Sequence, residues 1–137
     1  MGIVEKCNVK VSGNPAGQPM VFAHGYGCDL NMWRFVAPSF EDRFKVVLFD
    51  YVGAGGSDPG AYDANRYSSL GSYADDVLEI CRGLELSDVV LVGHSVSSMI
   101  GVLAVNKQPD LFDKLVMVTP SPRYIDDGDY TGGFGEA

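Results

Sequence analysis

Five consecutive residues carry the clearest chemistry in the sequence: Gly93-His94-Ser95-Val96-Ser97. They stand between an all-apolar run, Val89-Val90-Leu91-Val92, and a second, nearly all-apolar stretch from Val96 to Val105. A strand that turns straight into a helix holds the residue at the turn in a strained backbone conformation and lifts its side chain above the sheet. A serine so placed can act as the nucleophile of acyl transfer, and Ser95 is expected there with φ above zero. The residues two before and two after must be small, because strand and helix close on each other, and Gly93 and Ser97 both are. Glycine is the usual fifth residue, so Ser97 is a departure.

An acyl-transfer serine needs donors for the oxyanion that develops on the attacked carbonyl. The N–H of the following residue, Val96, is one candidate. The second should come from an earlier loop after a strand, where His24-Gly25-Tyr26-Gly27 stands. The glycines permit close approach of backbone to substrate, and the Tyr26 N–H is the candidate donor. Neither histidine suits the general base: His94 should point away from the serine hydroxyl, and His24 belongs to the oxyanion loop. With this turn the acid and the histidine follow the serine along the chain. Both are therefore expected beyond Ala137, with Asp126 and Asp127 a minor alternative for the acid. Gly53-Ala54-Gly55-Gly56 resembles a phosphate cradle, but Asp58 stands where the dinucleotide pattern needs glycine, so a rim turn is expected. Asp126-Asp127-Gly128-Asp129 lacks the spacing of a calcium loop. No metal site and no cofactor is expected.

The elements that must position these residues alternate between strand and helix. Val9 to Val11 reads as an edge strand, Pro19 to Ala23 as a short apolar run, Lys45 to Phe49 and Val89 to Val92 as buried strands, and Leu115 to Val118 as the last strand, expected at an open edge of the sheet. Leu30 to Phe40 is a helix candidate with Asp29 as N-cap and Trp33, Ala37 and Phe40 on one face, kinked or shortened by Pro38. Ser69 to Glu85 is the strongest helix, with Leu70, Tyr73, Val77, Ile80, Cys81 and Leu84 on one face and Asp75, Asp76, Glu79 and Arg82 mostly on the other. Strands this apolar imply a parallel sheet covered on both faces.

Composition excludes several classes of function. With 10 Lys and Arg against 18 Asp and Glu, the net charge of −8 is the wrong sign for a phosphate-binding surface, so no nucleic acid is expected. Cys7, Cys28 and Cys81 are odd in number and widely spaced, which argues against a disulfide framework or zinc and for a reducing cytoplasm. No basic segment followed by an apolar run opens the chain, no run is long enough to span a bilayer, and Lys6 stands where a myristoylation signal needs Ser or Thr.

Beyond the serine turn, four stretches carry a wider resemblance: His24-Gly25-Tyr26-Gly27-Cys28-Asp29, Leu48-Phe49-Asp50-Tyr51-Val52-Gly53, Met99-Ile100-Gly101, and Ser121-Pro122-Arg123-Tyr124 with Gly132-Gly133-Phe134. With them the chain resembles the small α/β-hydrolases that include the bacterial stress-response regulator RsbQ and the plant karrikin and strigolactone receptors. The resemblance implies the α/β-hydrolase fold, a mostly parallel sheet with helices on both faces, truncated before the lid and last strands. Residues 1–137 would then be the N-terminal part of a single domain. It also implies a pocket built from His24, Gly25, Tyr26, Tyr124 and Phe134, taking a small apolar ester or lactone. Two activities follow from it: ester hydrolysis through an acyl-serine, or ligand sensing in partnership with a PAS-domain phosphatase.

Overall fold

The apolar runs pair edge to edge in one five-stranded sheet. The computed structural model describes Met1–Gly135. A short helix α1 (Ile3–Lys6) precedes the edge strand β1 (Lys10–Gly13). Then come β2 (Gln18–Ala23), β3 (Phe44–Leu48), helix α2 (Leu70–Gly83), β4 (Val89–His94), helix α3 (Val96–Lys107) and β5 (Phe112–Val118). The strand order is β1-β3-β2-β4-β5. Only β1 runs antiparallel, to β3; the other pairs are parallel. From β2 the chain passes to β3 on one side and later to β4 on the other. The crevice at the carboxyl ends of β2 and β4 is thus a topological switch point, where ligands of open α/β sheets bind.

Side chains alternate across each strand, so the sheet has two packed faces. On one face Val21, Val47, Val89 and Leu91 meet Val77, Ile80 and Cys81 of α2 and Ile100 and Ala104 of α3. On the other, Met20, Phe22, Val46, Val90 and Val92 meet Trp33 and Ala37. The expected helix over Leu30 to Phe40 is not continuous: it consists of two 3-10 turns, Leu30–Trp33 and Ala37–Phe40. Pro38 has no N–H to continue the ladder and disfavours helical backbone at the residue before it. The expected apolar face survives the break, with Trp33 and Ala37 buried, and Asp29 caps the first turn by accepting from the Asn31 N–H at 2.8 Å.

Helix α2 departs from expectation at one residue. Asp76, read from its periodicity as a surface residue, is fully buried. It accepts from Lys6 Nζ at 2.7 Å, Arg66 Nη2 at 3.1 Å and Tyr67 Oη at 2.7 Å. α1, unmarked by any apolar periodicity, lies against α2 and covers that end of it. Against the desolvation that alone would lower it, the Asp76 and Tyr67 partners hold the Lys6 ammonium above its ordinary pKa.

Candidate active site

Ser95 sits between β4 and α3 with φ 56° and ψ −121°, the strained turn expected of it. Three hydrogen bonds hold the turn. The Ser95 N–H donates to Val118 O at the end of β5, 2.9 Å away, and the Ser98 N–H donates back to Ser95 O at 2.9 Å. Ser98 Oγ donates to Gly93 O at 3.1 Å. A Cβ at Gly93 would run into the backbone carbonyl of Ser97, which is why only glycine fits there. Val96 is the first residue of α3, so its N–H has no intrahelical acceptor and is available to a ligand.

The loop after β2 approaches the same point. A Cβ built on Gly25 would lie 3.4 Å from Ser95 Cβ and 2.5 Å from His94 Nδ1, so the absence of a side chain lets the loop close on the serine. Gly25 to Cys28 is a β-turn, its Cys28 N–H donating to Gly25 O at 3.2 Å, and Gly27 takes the positive φ of 72° that the third position of a type II turn requires.

His24 is buried, and both of its nitrogens are occupied. The Tyr51 N–H can only donate, so His24 Nε2, 3.1 Å away, accepts. The ring proton is therefore on Nδ1, where it donates to Gly25 O at 2.9 Å. Committed on both sides, His24 has no nitrogen left to take a proton from Ser95. The His94 ring packs against Gly25, and its Nδ1 is buried without a hydrogen-bond partner.

Asp50, beyond the end of β3, is buried and anchors the far end of the loop after β2. It accepts from Leu30 N at 2.7 Å, Asn8 Nδ2 at 2.8 Å and Gly56 N at 2.8 Å. The glycine-rich turn after it folds onto this carboxylate, since a Cβ at Gly55 would strike its oxygens. Asp50, Tyr51 and the hydroxyl of Ser97 bind the loops together, yet none stands out as a site residue in the sequence. Their signal is a polar side chain at the carboxyl end of a buried apolar strand, where solvent cannot satisfy it.

These loops enclose an open cavity of about 910 Å³. His24, Gly25, Tyr26 and Val96 line it, as expected, together with Cys28, Tyr51, Val52, Tyr62, Leu70, Tyr73 and Ile100. Gly53 to Gly55 form part of its rim, as the reading of that loop anticipates. Ser95 lies beside it through Gly25 and Val96 and is not itself a lining residue. The Tyr26 side chain projects into solvent at the mouth. Tyr124 and Phe134, expected in the pocket, are not brought to it. Their segment folds on itself instead: the Phe134 N–H donates to Tyr124 O at 3.0 Å and the Asp126 N–H to Phe134 O at 2.8 Å, leaving the Phe134 ring exposed. Asp126 accepts from the N–H groups of Gly132 and Gly133, and Asp127 pairs with Arg123, so these carboxylates brace that loop.

Known proteins resemble this chain closely. The chain is 50% identical over 135 residues to the karrikin insensitive 2 receptor CA of Petunia hybrida, covering 98% of this chain and 50% of the relative. It is 44% identical, with the same coverage, to strigolactone esterase D14 of Arabidopsis thaliana. It thus spans about half the length of these curated relatives. Among solved structures, a hydrolase from Oleispira antarctica superposes with a TM-score of 0.90 at 43% identity, covering 97% of this chain and 49% of that one. No helix among the described residues is long and apolar enough to cross a membrane. A family model described as alpha/beta hydrolase fold matches residues 18–133, and the chain belongs to that family.

Proposed function

We propose that this chain supplies the nucleophile and oxyanion hole of a serine hydrolase acting on small esters or lactones through an acyl-serine. The observation that carries the reading is the strained Ser95 turn, φ 56°, at the head of α3 and against the oxyanion loop. In the mechanism, Ser95 Oγ attacks the substrate carbonyl, and the Val96 and Tyr26 N–H groups receive the charge that develops on its oxygen. The serine must lose its proton, and His24 cannot accept it. The base and the acid that orients it are proposed to lie outside these 137 residues, with the lid and the remaining strands of the domain.

The test is an esterase assay on three samples: the chain, its Ser95→Ala variant, and the chain fused to the C-terminal half of a relative. The expected outcome is turnover of activated esters barely above background by the chain, none dependent on Ser95 in the variant, and restored activity in the fusion. Efficient Ser95-dependent turnover by the chain alone would overturn the assignment of the missing base.

A second reading is ligand sensing, favoured by the 50% identity to a plant receptor. The resemblance to the bacterial regulator extends it to a PAS-domain phosphatase as partner. Slow turnover accompanied by large ligand-induced thermal stabilisation of the fusion supports sensing, whereas fast turnover of simple esters supports metabolism.

A further inference from the structure

The cavity is explained by the proposed reaction, but one fully buried hydroxyl beside it is not. Ser97 follows the nucleophile by two positions, where packing alone asks only for a small residue. The close backbone contact of the turn is between Gly93 and the Ser97 carbonyl, so it places no demand on the side chain at 97. That side chain is nevertheless engaged twice: Oγ lies 2.5 Å from His24 O and 2.9 Å from Tyr51 Oη.

The direction of these bonds follows from the inventory of protons. A backbone carbonyl can only accept, so Ser97 spends its one proton on His24 O. Tyr51 must then be the donor to Ser97. Burial pushes the Tyr51 phenol upward in pKa, so it keeps the proton this requires. The same Tyr51 reaches His24 a second time through its backbone N–H on the imidazole. A closed ring of contacts joins the ends of β2 and β3 to the head of α3.

We propose that Ser97 is a positioning residue for acyl transfer at Ser95, its hydroxyl fixing the oxyanion loop so that the Tyr26 N–H faces the reacting carbonyl. This rests on the reading of Ser95 as nucleophile. The two peptide planes that flank Gly25 decide where the Tyr26 N–H points, and Gly25 has no side chain to restrain its dihedrals. The plane after Gly25 carries Gly25 O on one side and the Tyr26 N–H on the other, since the described peptides are all trans. The His24 Nδ1 proton holds that plane through Gly25 O. The plane before Gly25 carries His24 O, and Ser97 holds it. Glycine at position 97 would leave the first plane, and hence the root of the second, free to turn.

The test compares the 137-residue chain with its Ser97→Ala, Ser97→Gly and Tyr51→Phe variants. Amide hydrogen exchange at Gly25, Tyr26 and Gly27 is read against core amides of Val47 and Leu91. In parallel, in the chain fused to the C-terminal half of a relative, the rate at which a p-nitrophenyl phosphonate labels Ser95 is followed by intact mass, with Ser95→Ala in the same fusion as reference. The expected result is faster exchange confined to the loop in all three variants. Ser95 labelling should slow by up to ~100-fold, the loss a displacement of about 1 Å can cause. Ser97→Ala combined with Tyr51→Phe should do little more than either alone, since both break one chain of contacts. Unchanged loop exchange in Ser97→Ala, or exchange raised equally in the core, overturns the proposal. If Ser97→Ala fails to fold, Ser97→Gly, which removes the same hydroxyl, decides it. Equal labelling of the fusion and its Ser95→Ala variant would instead sink the nucleophile reading, and the exchange data would still judge Ser97.

Discussion

Two glycines beside the serine are held by different forces, and substitution separates them. Gly93 is constrained by space: a Cβ there meets the Ser97 carbonyl, which belongs to a turn that cannot yield without moving Ser95. Gly27 is constrained only by its dihedral, φ 72°, with nothing within 4 Å of a built Cβ. Gly27→Ala should therefore cost about 1–2 kcal/mol, the left-handed penalty for an L-residue. Gly93→Ala, at an ordinary φ but against backbone that cannot give way, should cost ~3 kcal/mol or more, the upper end of overpacking, and it should displace the Ser95 turn. Urea titration of both variants checks the order. The cysteines make a second contrast. Burial pushes the Cys7 and Cys81 thiols up to about 12, so neither forms thiolate near neutrality. Cys28 is half-buried on the loop after β2 and lines the cavity. Iodoacetamide at pH 8 should add one group to the folded chain, at Cys28, and three to the unfolded chain, as peptide mapping by mass spectrometry will show.

At the scale of elements, the joint between α1 and α2 is the place where charge matters most. Asp76 is buried with its oxygens shared by Lys6, Arg66 and Tyr67, and Lys6 is itself largely covered. Asp76→Ala takes the shared acceptor from the partly covered Lys6 ammonium and the Tyr67 hydroxyl and should cost about 3 kcal/mol in urea denaturation, whereas Arg66→Ala, at a half-exposed partner, should cost under ~1 kcal/mol. The Lys6 pKa is raised in the folded state, so its contribution is complete below the ordinary 10.5 and fades only as alkali carries pH past the folded value. This joint also marks the limit of what the sequence makes legible. Four apolar runs announced β2 to β5, and a period of 3.6 announced α2, because burial of one face dictates those patterns. Asp76 occupies a position that is polar by type and buried by circumstance. Its cover is a four-residue helix some 70 positions away, and no local periodicity reports a partner that distant. The same reason hid Ser97: its smallness was legible, but the use of its hydroxyl depends on His24 and Tyr51, brought together only by sheet order. Tyr124 and Phe134 are not brought to this cavity, because a parallel bridge between Ile125 and Phe134 folds their segment on itself.

For the whole molecule, the sheet ends at β1 on one side and at β5 on the other. β5 pairs along β4 only, and exposes Val116 and Met117 beside unpaired backbone groups. An apolar open edge invites a further strand. The chain should therefore associate in sedimentation velocity at micromolar concentration, and Val116→Lys with Met117→Lys should shift it toward monomer. A sharp cooperative melt of a clean monomer would contradict this. The switch-point layout has a temporal side as well. The contact from Ser97 to His24 joins residues 73 apart in sequence, and that from Ser97 to Tyr51 joins residues 46 apart. Contacts of such span must wait for the ordering of all the chain between them. During synthesis, His24 and Tyr51 leave the ribosome well before β4 and α3 exist. Ser95 can be bent into its strained turn only when α3 docks and Val118 closes over its N–H. A nascent or partly unfolded chain therefore holds Ser95 in ordinary backbone, and the strained turn forms only as the last step of assembly.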